Sequence, residues 1–343
     1  MSKPTEITFD KRGRGLKSLR LSLIDRCNFR CTYCMPSEIF GPDYPFLRKK
    51  DWLTFDEIER VVKAFVQLGV SRIRLTGGEP LLRPGLQDLI SRIRGIEGVQ
   101  DLALTTNGTR LLDMAEKLLQ AGLARITVSL DSLDPAVMEK ISGTKASVEK
   151  IVCGIEKAVE LGFDVKINTV IIKGTNESQI LPLTEFCIDK AIPLRFIEFM
   201  DVGNHNDWTV DRVVKTQEIH RIIGEQYQLK SLNPHFEGEV ASRYEVVDRP
   251  GRELGFISSV TAPFCSSCNR GRISSDGKFF TCLFSRSGYD LKPIINRISS
   301  DSDLRDEIKK IWSNREDRYS EIRMNKQSAT NQNQKVEMGY IGG

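Results

Sequence analysis

Histidine is scarce in this chain of 343 residues: only His205, His220 and His235 occur, and none lies near the cysteine-rich runs. Any metal site at those runs therefore lacks a nearby imidazole to complete it. Long apolar stretches are missing as well. No run reaches the ~18 apolar residues of a membrane-spanning helix, so no membrane partner is expected. The N-terminus, Met1 to Leu16, has no apolar signal-peptide core and is too short and too acidic for a transit sequence. Charge of one sign is not in excess either, with 50 Lys and Arg against 46 Asp and Glu. A net charge of +4 without a dense basic patch argues against nucleic acid as a partner.

The composition is 40% hydrophobic and 28% charged, enough for a sizeable core under a soluble surface. Its length fits one large domain or a domain with an appendage. The eight cysteines are clustered in sequence, which suits metal ligands in a reducing, cytoplasmic compartment better than a disulfide framework.

Six short runs rich in Ile, Val and Leu read as buried parallel strands: Leu19–Ile24, Ser71–Thr76, Asp101–Thr106, Arg125–Leu130, Val165–Ile171 and Leu194–Phe199. Amphipathic helices separate them. Thr54 and Glu57 form a capping box, Leu53 and Ile58 a hydrophobic staple, and Gly69 the C′ position. Pro84 reads as the start of the next helix, followed by helices over Leu111–Gln120, from Asp134-Pro135, and from Ser147 to Leu161. The expected fold is α/β: an incomplete (β/α)6 TIM-type barrel over residues 1–230, with a C-terminal second-cluster domain over 231–343. A charged helix is expected from Asp303 to Arg323, then a polar, mobile stretch from Gln327 to Val336. Motifs gather at the strands' C-terminal ends, where barrel sites lie: Thr76 to Pro80, Thr105 to Gly108, Ser129 to Asp131 and Glu198 to Met200.

The run from Cys27 to Cys34 places three thiols, Cys27, Cys31 and Cys34, on one tight loop, without a fourth. Structural zinc and the usual iron–sulfur cluster both take four ligands. Three suggest a [4Fe-4S] cluster with one iron left open, against a zinc knuckle completed from elsewhere. Cys265, Cys268 and Cys282 form a second group of three, for which zinc competes better because CxxC is also a zinc-ribbon element. Arg270, Gly271 and Arg272 stand between Cys268 and Cys282, so two guanidinium groups could take an anion. Cys187 reads as core and Cys153 as an unreactive thiol.

The CxxxCxxC loop, with Arg74 to Pro80, Thr105 to Gly108, Glu198 to Asn204, the second cysteine group and the terminal Gly-Gly, resembles the radical S-adenosylmethionine (SAM) enzymes. Within them it is similar to the GTP 3′,8-cyclase family, lyases acting first in molybdenum cofactor biosynthesis. The resemblance runs from about Leu19 to the last residue, and Ile24 departs from the usual Thr or Ser. It implies two [4Fe-4S] clusters, on Cys27, Cys31 and Cys34 and on Cys265, Cys268 and Cys282. It implies a SAM site of Tyr33, Gly78, Ser129 and Met200, with Glu79 and Asn168 beside them, Gly77 and Gly78 making room for the methionine part. Arg20, Arg74, Thr105, Lys166, Arg195, Arg270, Gly271 and Arg272 would face GTP, and Arg270, Arg272, Gly342 and Gly343 would act in catalysis.

The implied partners are GTP, a reductant such as flavodoxin or ferredoxin, and a cyclic pyranopterin monophosphate synthase taking the product. A homodimer is compatible with the sequence. Two other readings stand beside the cyclase: a peptide-maturing radical SAM enzyme with an auxiliary cluster, and a non-catalytic zinc- or cluster-binding adaptor.

Overall fold

A computed structural model describes residues 7–236, 238–297, 301–326 and 335–343. Residues 1–6 and 327–334, parts of the N-terminal segment and of the stretch read as mobile, lie outside the described residues. The six expected strands form within two residues of their expected bounds: β1 Ser18–Ser22, β2 Arg72–Thr76, β3 Asp101–Thr106, β4 Arg125–Ser129, β5 Asp164–Ile171 and β6 Leu194–Glu198. Each pairs in parallel with the next.

Six further strands follow: β7 Leu229–Leu232, β8 Ser242–Val246, β9 Glu253–Ile257, β10 Arg270–Ile273, β11 Lys278–Phe280 and β12 Tyr289–Asp290. They extend the same sheet at both edges. β9 pairs in parallel with β6, and β10 in parallel with β1. Eight parallel strands thus run in the order β10-β1-β2-β3-β4-β5-β6-β9, flanked by antiparallel β11-β12 and β8-β7. β12 and β7 form its two edges, so among the described residues the sheet does not close into a barrel. β10 escaped notice because Arg-Gly-Arg-Ile lacks the continuous apolar run of a parallel strand.

The first helix, Phe55–Gln67, carries the full capping box: the Glu57 amide donates to Thr54 Oγ1 at 3.2 Å, and the Thr54 amide to Glu57 Oε2 at 2.6 Å. Such a cap contributes about 1 kcal/mol. Its face of Ile58, Val61, Val62 and Phe65 is buried, Phe65 against Phe279 of β11, and Leu53 before it is buried too. Pro84 does not open the next helix; Gly85, at φ +74°, is the N-cap and the helix runs Leu86–Arg94. Leu111–Gln120 has its expected bounds, and Asp134 and Ser147 cap Pro135–Ser142 and Val148–Glu160. The charged C-terminal helix is two helices, Asp301–Ser313 and Tyr319–Lys326. The chain breaks between them because Arg315 and Asp317 turn toward the second cysteine group. Cys187 is buried in the core, as expected, and Cys153 is exposed.

Candidate active site

All six clustered cysteines line one cavity of about 300 Å³ inside the sheet. Cys27, Cys31 and Cys34 sit on the loop that leaves the C-terminal end of β1. The Cys34 and Met35 amides both donate to the Cys31 carbonyl, at 2.9 and 2.8 Å, curling the loop so its thiols turn inward. Glycines seat it from below. A Cβ at Gly78 would lie 2.2 Å from the Arg26 carbonyl oxygen, and one at Gly77, with φ +144°, 2.5 Å from that of Ile24. The space where a side chain would begin is therefore filled by the cysteine loop's own backbone, and Gly77 lines the cavity. Gly78 also lines the cavity.

Cys265 and Cys268 lie in the turn that enters β10, and Cys282 follows β11. Because β10 runs parallel to β1 and β11 antiparallel to it, these three thiols stand at the opposite strand end from the first group. A buried polar network braces the turn. Arg14 Nη1 donates to the Cys265 carbonyl and Arg315 Nη1 to that of Cys268, both at 2.8 Å. Asp10 pairs with both guanidinium groups. Asp10, Arg14 and Arg315 are each under a tenth exposed, and sequence reasoning missed all three because they come from opposite ends of the chain.

The two thiol groups differ electrostatically. Burial pushes Cys27 up to about 12, Glu79 adding to it, and burial likewise raises Cys31 and Cys34. Burial also raises Cys282 to about 12. Burial pushes Cys268 up as well, but the Arg270 and Arg315 guanidiniums outweigh it and leave that thiol at about 6.

Between the two groups runs a row of arginines. Arg272 on β10, Arg20 on β1 and Arg74 on β2 are register partners, so they share one face on adjacent strands. Burial first, and then repulsion from neighbouring arginines, lowers all three, Arg74 and Arg272 to about 10. Arg74 Nη1 is fixed by Thr105 Oγ1 at 3.1 Å and Thr127 Oγ1 at 2.9 Å. Arg195 joins them, its stem packed over Gly255; its Nε is buried without a hydrogen-bond partner, while its Nη2 meets Glu239 at 3.3 Å. Crowded cations with so little local counter-charge fit a multiply charged anion.

Tyr33, Ser129, Asn168 and Met200 line the same cavity, as do Thr105, Arg270 and Gly343. The Tyr33 hydroxyl donates to Asp131 Oδ2 at 2.7 Å, and burial raises that carboxyl to about 6. Asn168 Oδ1 is buried without a partner. Glu79 accepts from Leu81 N, Thr106 Oγ1 and Asn107 N, and burial raises it to about 7. Three expected residues, Lys166, Gly271 and Gly342, stand off the wall. Lys166 shares the face of its register partner Thr127 without reaching the cavity lining. Gly271 faces the core, where a Cβ would meet Phe279, Leu16 and Phe65, so strand alternation gives the cavity Arg270 and Arg272 only. Gly342 sits just behind Gly343, its carbonyl accepting from Arg272 Nη1.

Two family models match the chain: Radical SAM superfamily over residues 21–187 and Molybdenum Cofactor Synthesis C over residues 192–321. Among solved structures it is similar to Streptococcus suis SuiB bound to S-adenosylmethionine, with a TM-score of 0.60 at 15% identity, covering 86% of this chain and 69% of that one. Fold and cysteine loop together define a radical SAM protein with a molybdenum-cofactor-type C-terminal region. The GTP 3′,8-cyclase of Staphylococcus epidermidis is 46% identical over 339 residues, 98% of this chain and 99% of that protein. That of Staphylococcus saprophyticus is 46% identical over 335 residues, 97% and 98% of the two chains. The chain belongs to the GTP 3′,8-cyclase family.

Proposed function

We propose that this chain converts GTP to (8S)-3′,8-cyclo-7,8-dihydroguanosine 5′-triphosphate, the first step of molybdenum cofactor biosynthesis. The observation that carries this is the Arg272-Arg20-Arg74 row, held between two three-cysteine groups in one cavity. Its cofactors are [4Fe-4S] clusters and SAM. The residues present fit them: among the described residues the cavity wall carries two sets of three thiols and no imidazole, with the partnerless oxygen of Asn168 beside its register partner Ser129. Among the described residues no group of three or more His, Cys, Asp or Glu is arranged to hold a single metal ion.

Cys27, Cys31 and Cys34 would hold one cluster and Cys265, Cys268 and Cys282 the other, each with an open iron. When bound, these groups supply one-electron cleavage of SAM and abstraction of the ribose 3′ hydrogen. The chain does the rest by positioning. Tyr33, Gly78, Ser129 and Met200 orient SAM. Arg20, Arg74, Arg195, Arg270 and Arg272 neutralise the triphosphate and fix the ribose, with Thr105 holding the Arg74 fork. Holding C3′ against C8 of the same molecule is an orientation effect worth several kcal/mol, up to about 7–11. Gly342 and Gly343 close the cavity beside the substrate. A flavodoxin- or ferredoxin-type donor supplies the electron, and a cyclic pyranopterin monophosphate synthase takes the product. Anaerobic incubation with SAM, GTP and a strong reductant tests the reading. 5′-Deoxyadenosine forming only with GTP supports it, and formation indifferent to GTP overturns it.

A further inference from the structure

The stretch from Asp201 to Asn204 follows the SAM-side Met200, yet takes no part in the chemistry above. It lies instead against residues 335–337, the start of the C-terminal segment. We propose that this loop is the receptor for the chain's own tail, and that Asn204 and Glu337 are positioning residues setting how far Gly342 and Gly343 reach into the cavity. The proposal deepens the cyclase reading and rests on it for its rate measurement.

The contacts form a two-point grip. The Asn204 side-chain amide pairs with the tail backbone in both directions: Lys335 N donates to Asn204 Oδ1 at 2.7 Å, and Asn204 Nδ2 donates to Lys335 O at 2.6 Å. Lys335 Nζ meets the Asp201 carboxylate at 2.7 Å, and that carboxylate is itself fixed by the Tyr319 hydroxyl at 2.6 Å. Two residues on, Glu337 Oε1 accepts from Asn204 Nδ2 at 2.7 Å and from Asn204 N at 3.2 Å, and faces His205 Nδ1 at 3.0 Å. Gly203 makes this possible: at φ +67°, a Cβ there would sit 2.2 Å from Glu337 Oε2. A side chain there would push the Glu337 carboxylate out of the grip, and at this φ it would be strained.

Beyond the grip the tail is short and closely packed. A single helical turn, Met338–Ile341, leads to Gly342 at φ +76°. Gly339 packs so closely on Met35, next to Cys34, that a Cβ would lie 2.7 Å from its sulfur. The Tyr340 hydroxyl donates to the Asp276 carboxylate at 2.6 Å. These contacts connect the grip at Glu337 to the terminus almost residue by residue.

The test compares the iron-loaded protein with Asn204→Ala, Glu337→Ala and the conservative Glu337→Gln. Hydrogen exchange across residues 335–343 reads docking, and single-turnover 5′-deoxyadenosine formation with saturating SAM and GTP reads its consequence. Losing charge-assisted hydrogen bonds at the grip should speed exchange at the Val336 and Gly342 amides, and slow the turnover, by about tenfold or more each. Iron content should stay unchanged, since neither Glu337 nor Asn204 belongs to either cysteine group, and Glu337→Gln should recover most of both losses. Unchanged tail exchange in Glu337→Ala and Asn204→Ala overturns the proposal, as does faster exchange with an unchanged turnover rate. If the wild-type protein proves indifferent to GTP, the cyclase reading fails while the exchange arm still decides whether the loop holds the tail.

Discussion

Arg272 donates through Nη1 to the carbonyl of Gly342, a residue 70 positions later in the chain. The same guanidinium is the β10 member of the arginine row, so one buried cation touches both the tail and the anion-binding face. Arg272→Ala should lower kcat/KM for GTP by about 10–100-fold, as expected for a lost charge-assisted contact in a closed site. Iron per chain should be unchanged, because Arg272 is not a ligand. Steady-state cyclisation together with an iron assay checks this.

Gly342→Ala should be more damaging than its size suggests. A Cβ there would lie 2.4 Å from Thr76 Cγ2, and the residue holds φ +76°, where L side chains are strained. Thr76 is buried at the end of β2 and cannot retreat. Product formation should fall at least about 100-fold, the equivalent of roughly 3 kcal/mol, with both clusters retained. Chromatographic assay of the cyclic product measures it.

Gly78→Ala should act on the cluster instead. Its Cβ would meet the Arg26 carbonyl carbon and oxygen at 2.4 and 2.2 Å and the Cys27 amide at 3.0 Å, all backbone. The loop must move, and the first cluster with it. Anaerobically reconstituted protein should drop from about eight irons to about four. Gly224→Ala, where a Cβ meets nothing within 4 Å, is the control and should keep the full complement.

Glu79 gives a pH dependence of stability. Burial raises its carboxyl from the usual 4.5 to about 7, so the folded state holds a proton that the unfolded chain releases. The stability this proton provides is fully present below about pH 4.5 and is lost as pH rises through about 7. The difference is about 3 kcal/mol. Glu79→Gln cannot ionise and should flatten the slope between pH 5 and pH 8. Urea midpoints at the two values, for wild type and variant, measure it.

Much of this was legible in the sequence because it is local. The six strand–helix units carry their own periodicity and caps, as at Thr54 and Glu57, and the two cysteine groups carry their own spacing. What could not be read was long-range. β9 and β10 complete the run of parallel strands only by pairing with β6 and β1, and Arg-Gly-Arg-Ile looks like a solvated stretch until Arg20 and Arg74 stand beside it. The Asp10-Arg14-Arg315 brace joins side chains some 300 positions apart, and no window contains it. The tail grip likewise pairs Asn204 with Glu337, which sequence distance conceals.

The central claim is that the cavity holds the ribose of GTP against the SAM-derived radical. Incubating the protein with SAM, reductant and GTP deuterated at C3′ tests it most directly. The account predicts deuterium in the 5′-deoxyadenosine, in step with formation of the 3′,8-cyclic product. 5′-Deoxyadenosine without deuterium, alongside unchanged GTP, would contradict it.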